Sequence, residues 1–376
     1  MRIEQRLWQP GRGWRTLSSD RPEAPHLVLY FAAPGTLEDG QRFADLKAEY
    51  PGAKLLGCTT GGEIVAMDVH DGSVTATAVE FEHTELRLAQ DRVAPKRSSF
   101  DIGKHLAASL PAKGLKGMFL LSDGTNVNGS ELVAGIQKVL GRDVRLTGGL
   151  AGDGASFKTT KVGLDSNPES GNVIAVGFYG DRLRIGSGSV GGWDTVGPER
   201  IVTRSEGNTL YDLDGVPALD LYKEYLGAEA ANLPASALLF PLSIHPVGSP
   251  EASLVRTVVG VDEARKAMIF AGDIPTGHIA QVMLGHFEHL IAGAGRAAKK
   301  AAIPEAKLAI LVSCIGRKLL LGQRIADEVE AVAEELGTQC RTTGFYSYGE
   351  IAPMEASHVS DLHNQTMTIT TLGEAA

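Results

Sequence analysis

Short apolar runs recur along the chain, and several are followed by glycine-rich polar loops. The first run, at residues 26–31, predicts a buried strand. A helical pattern opens with Gly-Gln-Arg-Phe-Ala-Asp at 40–45, and a second short strand is predicted at 53–56. That strand leads into the loop Gly-x-x-x-x-Gly-Glu-Ile at 57–64. The predicted order is strand, helix, strand and glycine-rich loop.

A unit near the C-terminus repeats this order. A strand is predicted at 308–312, and Gly-Gln-Arg-Ile-Ala-Asp at 322–327 opens a helix that runs to about Leu336, with Gly337 as its C-terminal cap. The loop at 344–351 again has the pattern Gly-x-x-x-x-Gly-Glu-Ile. Two separate strings that agree in the same order indicate an internal duplication.

A weaker third copy lies between these two units. It combines a strand at 117–121, a helix at 130–140, a strand at 144–146 and a glycine-rich loop at 147–154. Each unit therefore predicts a βαβ-like crossover.

The stretches between the units alternate apolar and polar residues. This alternation predicts strands at 73–81, 172–179, 183–185, 267–270 and 365–370. The second and third of these strands are expected to form a hairpin, and helices are expected at 216–226 and 278–294. The predicted fold class is α/β, with α+β-type mixed and largely antiparallel sheets, not a simple parallel doubly wound sheet.

The 376 residues are enough for two domains, with an apolar fraction of 43%. We expect an N-terminal segment at 1–24, a first domain at 25–215 and a second at 216–376. No segment reaches the roughly 18 consecutive apolar residues of a membrane helix. The first residues also lack the apolar core of a secretory signal, so a soluble cytoplasmic protein is expected.

The net charge of -9, without a dense Lys/Arg cluster, argues against a nucleic-acid partner. The three cysteines are widely spaced and fit neither a disulfide framework nor a Cys-only zinc site.

The two matching loops carry the first candidate chemistry. Backbone N–H groups of a glycine-rich turn hold a carboxylate, and Glu63 or Glu350 at the loop end would hold an ammonium group, as a zwitterion such as an amino acid requires. The competing interpretation is that both glutamates brace tight turns. Thr59 and Tyr346, inside the loops, belong to the same candidate ligand site.

Four further residues are candidates for ligand contact. Asp123 and Asp153 lie in polar loops after apolar strands, although Asp-Gly pairs are also ordinary turn formers. Arg317 is suited to pair with a carboxylate through its planar fork. Cys58 is either a ligand contact, a nucleophile or a buried small thiol, and its sequence neighbourhood contains no histidine to act as a base.

Several of these segments together resemble the FIST N and FIST C domains. The FIST N resemblance rests on residues 56–64, 148–154, 171–197 and 202–215. The FIST C resemblance rests on residues 272–277, 313–317, 344–351 and 362–366. Together the two resemblances span about residues 25–372. They imply a stand-alone sensory protein for a small ligand such as an amino acid.

Some proteins of this family bind haem, sense nitric oxide and regulate a histidine kinase or a cyclic-di-GMP enzyme (a diguanylate cyclase or phosphodiesterase). The resemblance therefore implies haem as a candidate cofactor, with His363, His286 or His289 as the axial ligand. The three histidines His278, His286 and His289 are expected in one helical stretch. Family members typically read Leu-His-Asn-His-Thr where this chain has Gln365, so only His363 remains of that pair.

Two other classes of protein stay open at this point. One is an enzyme that uses Cys58 or the loop carboxylates on a small substrate, and the other is a scaffold for a protein partner. The chain contains no P-loop, no His-Glu-x-x-His motif and no Gly-x-Ser-x-Gly elbow, so the expectation is a binding protein without catalytic residues.

Overall fold

The computed structural model describes residues 1–18, 20–141, 144–355, 357 and 359–376. Its α-helices, in chain order, are α1 (Gln41–Glu49), α2 (Ser99–Ala108), α3 (Gly129–Leu140), α4 (Ala218–Leu226), α5 (Phe287–Ala301), α6 (Ile315–Leu321) and α7 (Ile325–Leu336). None of the helices in these residues is both long and apolar enough to cross a membrane.

The strands of the first half are β1 (Arg2–Gln9), β2 (Gly13–Thr16), β3 (Leu27–Ala32), β4 (Lys54–Thr59), β5 (Glu63–Val65), β6 (Asp68–His70), β7 (Val74–Glu80), β8 (Glu85–Arg92), β9 (Leu115–Ser122), β10 (Arg145–Leu150), β11 (Val162–Leu164), β12 (Asn172–Tyr179) and β13 (Leu183–Val190). Those of the second half are β14 (Trp193–Glu206), β15 (Thr209–Leu213), β16 (Val216–Pro217), β17 (Leu242–Pro246), β18 (Leu254–Arg256), β19 (Val258–Asp262), β20 (Ala267–Phe270), β21 (His278–Gly285), β22 (Ala306–Cys314), β23 (Arg341–Ser347), β24 (Gly349–Pro353), β25 (Ser360–His363) and β26 (Met367–Glu374).

The predicted repeat is present three times, which confirms the mixed α/β fold with duplicated units. In each unit two parallel strands pair, β3 with β4, β9 with β10 and β22 with β23. The chain between them forms one α-helix in the first two units and the two helices α6 and α7 in the third. A closing strand then pairs antiparallel with the first strand of its unit, as β7, β12 and β26 do. Helix α7 ends at Leu336 with Gly337 as its cap, as predicted.

The units exchange one strand each in a closed cycle. The strand after the first loop, β5, pairs with β23 of the third unit. Likewise β11 of the second unit pairs with β4 of the first, and β24 of the third unit pairs with β10 of the second. The three six-stranded sheets that result share one apolar core, to which Phe31, Phe119 and Phe345 each contribute a buried ring. Because each unit completes the sheet of a neighbour, the units form one body.

A fourth sheet is inserted between β13 and α5. Its strands follow the order β18-β17-β21-β14-β15-β20-β19, with β16 attached to β15. Tyr222 of α4 and Phe270 of β20 belong to its separate apolar core. The sheet combines strands from both sides of residue 216, and we call it the inserted sheet.

Two local predictions were wrong. β12 does not form a hairpin with β13, because β9 and β8 occupy both edges of β12, and β13 pairs with β26 instead. The stretch 278–294 is not one helix: His278 lies in β21, His286 caps α5, and His289 lies within α5. In β21, Ala280 and Val282 are buried and the residue between them is less buried, which is the two-residue period of a strand. This strand pairs with a neighbour on each of its edges.

Candidate functional site

The three glycine-rich loops interlock where the parallel strands of the units end. Gly61 N–H donates to the Tyr346 carbonyl over 2.8 Å, and Gly152 N–H donates to the Thr59 carbonyl over 3.1 Å. Tyr348 N–H completes the cycle by donating to the Leu150 carbonyl over 3.1 Å. The sequence-predicted residues Thr59 and Tyr346 therefore contact neighbouring loops through their backbones.

Glycine is required at the start of two of these loops. A Cβ atom at Gly148 would collide with the carbonyl oxygen of Leu120, and one at Gly344 would collide with that of Leu311. The close approach of neighbouring parallel strands therefore requires glycine at both positions.

Glu63 and Glu350 occupy equivalent, fully buried positions. Glu63 accepts hydrogen bonds from the Thr60 hydroxyl (2.5 Å) and from the backbone N–H (3.1 Å) and hydroxyl (2.6 Å) of Ser73. Glu350 accepts the matching bonds from the Ser347 hydroxyl (2.6 Å) and from the N–H (3.1 Å) and hydroxyl (3.0 Å) of Thr366. Each carboxyl group ties its loop to the residue before the closing strand.

Asp123 makes the equivalent contact in the middle unit, although it comes from a different loop. Its carboxylate accepts the N–H of Gly171, the residue before β12, over 2.6 Å. It also accepts the backbone N–H groups of Thr125 (2.7 Å) and Asn126 (2.9 Å) and the Thr160 hydroxyl (2.8 Å).

The surroundings move the pKa values of these carboxyl groups in opposite directions. Burial raises the pKa of Glu63 to about 7 and that of Glu350 to about 8, against the opposing effect of their hydrogen bonds. Burial would also raise the pKa of Asp123, but its many N–H and hydroxyl donors outweigh burial and lower that pKa to about 2. Asp123 is therefore ionised at neutral pH, whereas Glu350 is mostly protonated.

Asp153 holds the segment that follows the middle loop. Its carboxylate accepts the backbone N–H groups of Phe157 (2.8 Å), Lys158 (2.9 Å) and Thr159 (2.8 Å). The Tyr348 hydroxyl donates to the same carboxylate.

Cys58 and Cys314 are buried at the ends of β4 and β22. Burial raises the pKa of the Cys58 thiol well above its usual value, and burial likewise raises the pKa of Cys314. A thiol kept in its protonated form and away from solvent is a poor nucleophile.

Arg317 is fully buried and paired with Glu328. The Arg317 Nη2 and Nε atoms lie 2.7 and 3.0 Å from one Glu328 oxygen, and the other oxygen accepts the Tyr346 hydroxyl over 2.7 Å. Arg317 also donates to the carbonyl oxygens of Leu290 (2.9 Å) and Gly191. This buried network carries both a predicted anion contact, Arg317, and a predicted loop residue, Tyr346.

A polar cleft of about 540 Å³ lies between β13, the β24–β25 hairpin and the start of β18. We call it the seam cleft, because it follows the seam between the repeated units and the inserted sheet. It is lined by Arg145, Ser187, Gly188, Ser189, Val190, Gly191, Glu251, Ser253, Val255, Lys300, Pro353, Met354, Glu355, His363 and Thr366.

The predicted residues Arg317 and Glu350 lie directly behind this lining. Glu350 is bonded to Thr366, which lines the seam cleft, and Arg317 is bonded to the backbone of Gly191, which also lines it. Thr368, behind Thr366, donates to the cleft residue Ser189 over 2.9 Å. The loop carboxyl group is thus connected to the cleft through hydroxyl groups.

The predicted histidines separate into two places. His363 lines the seam cleft, and its Nε2 donates to the Ala352 carbonyl over 3.1 Å, while burial lowers its pKa and keeps the ring neutral. His286 and His289 are exposed near Asp194, whose carboxylate lies 2.6 Å from His289 Nδ1. Within the described residues, no group of three or more His, Cys, Asp or Glu side chains is placed to hold a metal ion.

Sequence patterns did not single out the charged residues of the cleft. Arg145 and the short Lys299-Lys300 pair lie far apart in the sequence, and only folding brings Arg145 and Lys300 together with Glu251. The sequence pointed to this cleft through the segment 362–366, which supplies the lining residues His363 and Thr366.

The interlocked mixed sheets define an α/β protein with a polar cleft along the seam between its parts. The FIST N domain matches residues 26–216 and the FIST C domain matches residues 218–353. The chain belongs to the FIST family, which confirms the resemblance seen in the sequence. FIST domains are sensory domains of signal transduction that bind small ligands.

An uncharacterized protein of Methanocaldococcus jannaschii is similar over most of this chain. The two are 25% identical in an alignment of 354 residues that covers 82% of this chain. The chain spans 66% of that relative's length.

Proposed function

We propose that the chain senses a small zwitterion, such as an amino acid, in the seam cleft. The observation that carries the proposal is the pairing of opposite charges in one cleft: Arg145 and Lys300 for a carboxylate, and Glu251 and Glu355 for an ammonium group. Lys300 and Glu355 are paired over 2.6 Å, and a ligand with both charges would replace that exposed pair without leaving either charge alone.

The neutral lining groups support a small polar ligand. The hydroxyls of Ser187, Ser189 and Ser253 provide donors and acceptors beside the charged groups. A few well-placed polar groups of this kind determine the orientation of a ligand in a cleft.

Haem suits the same cleft poorly. A porphyrin needs apolar surfaces on both faces, but charged and hydroxyl side chains dominate this lining. His363 is the one predicted axial ligand in the cleft, and its Nε2 is held by the Ala352 carbonyl. We therefore propose an amino acid rather than haem, and a binding role rather than catalysis by the buried Cys58.

The binding test is calorimetry and thermal shift with a panel of amino acids, since a ligand of the folded state raises the melting temperature. We expect one amino acid to bind, and its amide or N-acetyl derivative to bind at least about tenfold more weakly, because each derivative lacks one charge. Arg145→Gln should reproduce the loss seen with the amide, and Glu251→Gln the loss seen with the N-acetyl derivative.

Arg87→Gln, at an exposed site outside the cleft, is the matched control and should bind normally. The proposal fails if no amino acid binds, or if hemin instead gives a Soret band that His363→Ala abolishes.

We further propose that occupancy of the cleft is passed to a histidine kinase or a cyclic-di-GMP enzyme. The cleft joins the repeated units to the inserted sheet, so a ligand would change how these two parts pack. The test is the autophosphorylation or cyclic-di-GMP turnover of such an enzyme encoded beside this gene, with and without the bound amino acid. An enzyme whose rate is the same in both conditions would contradict the signalling proposal.

A further inference from the structure

A second cleft, of about 480 Å³, lies between the middle unit and the inserted sheet. We call it the aromatic cleft. It is lined by Gly124, Thr125, Asn126, Val127, Asn128, Leu150, Phe157, Asn208, Val259, Phe270, Ala271 and Tyr348. None of these lining residues in the described part of the chain carries a charge, in contrast to the seam cleft.

Phe157 forms an exposed wall of this cleft in an unusual backbone conformation. Its φ of 51° lies in the left-handed region, which a bulky residue rarely adopts, and its side chain is 37% exposed. The three N–H bonds to Asp153 hold this segment in place. A strained residue that its neighbours hold so firmly suggests a functional reason for its position.

The ring of Phe157 stacks on the ring of Tyr348. The ring centroids are 4.4 Å apart and the planes are inclined by 14°. The Tyr348 hydroxyl accepts the Phe157 N–H over 3.0 Å and donates its proton to the Asp153 carboxylate. Both rings are therefore fixed, and the Phe157 ring offers a rigid planar surface.

The inserted sheet supplies apolar residues on the other side. Val259 of β19 is 40% exposed, and Phe270 and Ala271 line the same cleft. Apolar groups from two separate parts of the molecule face one opening, which suits a flat ring that enters between them.

Two asparagines, Asn126 and Asn208, line this opening. The Asn126 Nδ2 group donates to Asp123 (3.0 Å), and the Asn208 Nδ2 group donates to the Phe270 carbonyl (2.8 Å), so the amide orientation of each side chain is fixed. Within the described residues, neither Oδ1 atom accepts a hydrogen bond from the protein. These oxygens are acceptors for N–H donors on a ligand.

We propose that the aromatic cleft binds a neutral, amino-substituted nitrogen heterocycle, such as an adenine ring, stacked on Phe157. Its ring N–H or amino groups donate to Asn126 and Asn208. The ionised Asp123 behind the lining disfavours a phosphate group, so the nucleoside binds more tightly than its monophosphate. This site is separate from the seam cleft and does not depend on the amino-acid proposal.

The test is calorimetry of the full chain with adenosine, purine riboside, adenosine monophosphate and glucose. We expect saturable binding of adenosine and weaker binding of purine riboside, which lacks the amino group, and of the monophosphate. Phe157→Ala should weaken adenosine binding about five- to a hundred-fold, as loss of a base-stacking ring does. Phe157→Trp should keep the affinity, because it keeps a planar ring.

Val259→Trp provides a second variant that does not touch the strained segment, and it should block the cleft. Val247→Ala, at a 66% exposed residue outside the cleft, is the matched control. The proposal is overturned if adenosine gives no saturable heat, if glucose binds better than adenosine, or if binding survives both Phe157→Ala and Val259→Trp. Amino-acid binding in the seam cleft should be unchanged in Phe157→Ala, so the two proposals can fail separately.

Discussion

The Glu350 carboxyl group accepts both the backbone N–H and the hydroxyl of Thr366, over 3.1 and 3.0 Å. Thr366 is also part of the seam cleft lining. The same pair of bonds joins Glu63 to Ser73 in the first unit. The duplicated glutamates therefore connect loop to closing strand, and in the third unit this connection reaches the cleft.

The raised pKa values of Glu63 and Glu350 predict that stability falls as pH rises. Both groups ionise near 4.5 when unfolded but at about 7 and about 8 when folded, so the folded state holds more protons between these values. The stability that the two groups contribute is fully present below pH 4.5 and is lost as the pH rises through 7 and 8. Over this range the free energy of unfolding falls by up to about 1.4 kcal/mol per pH unit for each group. Denaturant unfolding at a series of pH values measures this slope.

The Glu350→Gln variant should fold, and its free energy of unfolding should fall less steeply with pH, up to pH 8, than that of the wild type. A glutamine amide keeps an oxygen that accepts the Thr366 N–H, and the Ser347 hydroxyl, which donates to the carboxyl group in the wild type, can rotate to accept from the amide NH2 group. Glu85→Gln, at an exposed site, is the control and should leave the slope unchanged. An unchanged slope in Glu350→Gln would contradict the assigned pKa shift.

The lowered pKa of Asp123 predicts the opposite dependence in acid. Its contribution to stability is present above pH 3.8 and is lost as pH falls through about 2. Asp123→Asn replaces a charged acceptor of several N–H groups and should cost about 1–3 kcal/mol at neutral pH. Acid unfolding monitored by circular dichroism should show a weaker loss below pH 4 in this variant than in the wild type, whereas Asp181→Asn, which is 98% exposed, should match the wild type.

Loss of Arg317 should be strongly destabilising. Arg317→Met leaves the buried Glu328 charge without its partner, which typically costs about 3–5 kcal/mol. The double variant Arg317→Met/Glu328→Gln should recover part of this loss, because no unpaired charge remains. Lys223→Met breaks the exposed pair with Glu263 and should cost no more than about 1 kcal/mol by the same denaturant measurement.

The thiols should be unreactive in the folded protein. Cys58, Cys314 and Cys340 are all buried, and burial raises the pKa of Cys340 to about 11. We expect an aromatic disulfide reagent to label no cysteine at pH 8 in the native protein and all three in denaturant. Rapid labelling of Cys58 in the native protein would instead revive the enzyme interpretation.

Local patterns in the sequence were sufficient for the repeat. The paired motifs at 57–64 and 344–351 give matching elements because each begins with a glycine where the neighbouring parallel strand leaves no room for a Cβ atom, and each ends with a glutamate that bonds to the residue before the closing strand. The hairpin expected for β12 and β13 was wrong because strand pairing depends on which edges are free, and the sequence does not show this. The equivalence of Asp123 with the loop glutamates was also hidden, since its partner Gly171 lies 48 positions away.

The sequence by itself determined the family, the three βαβ-like units and the residues that stabilise their loops. These features depend on the spacing of nearby residues and on the positions of glycine. Only the tertiary structure decided that the units exchange strands, that Arg317 and Glu350 lie behind a cleft, and that Arg145, Lys300 and Glu251 share it. These relations join residues that are far apart in the chain, and packing and charge bring them together only after the sheets have formed.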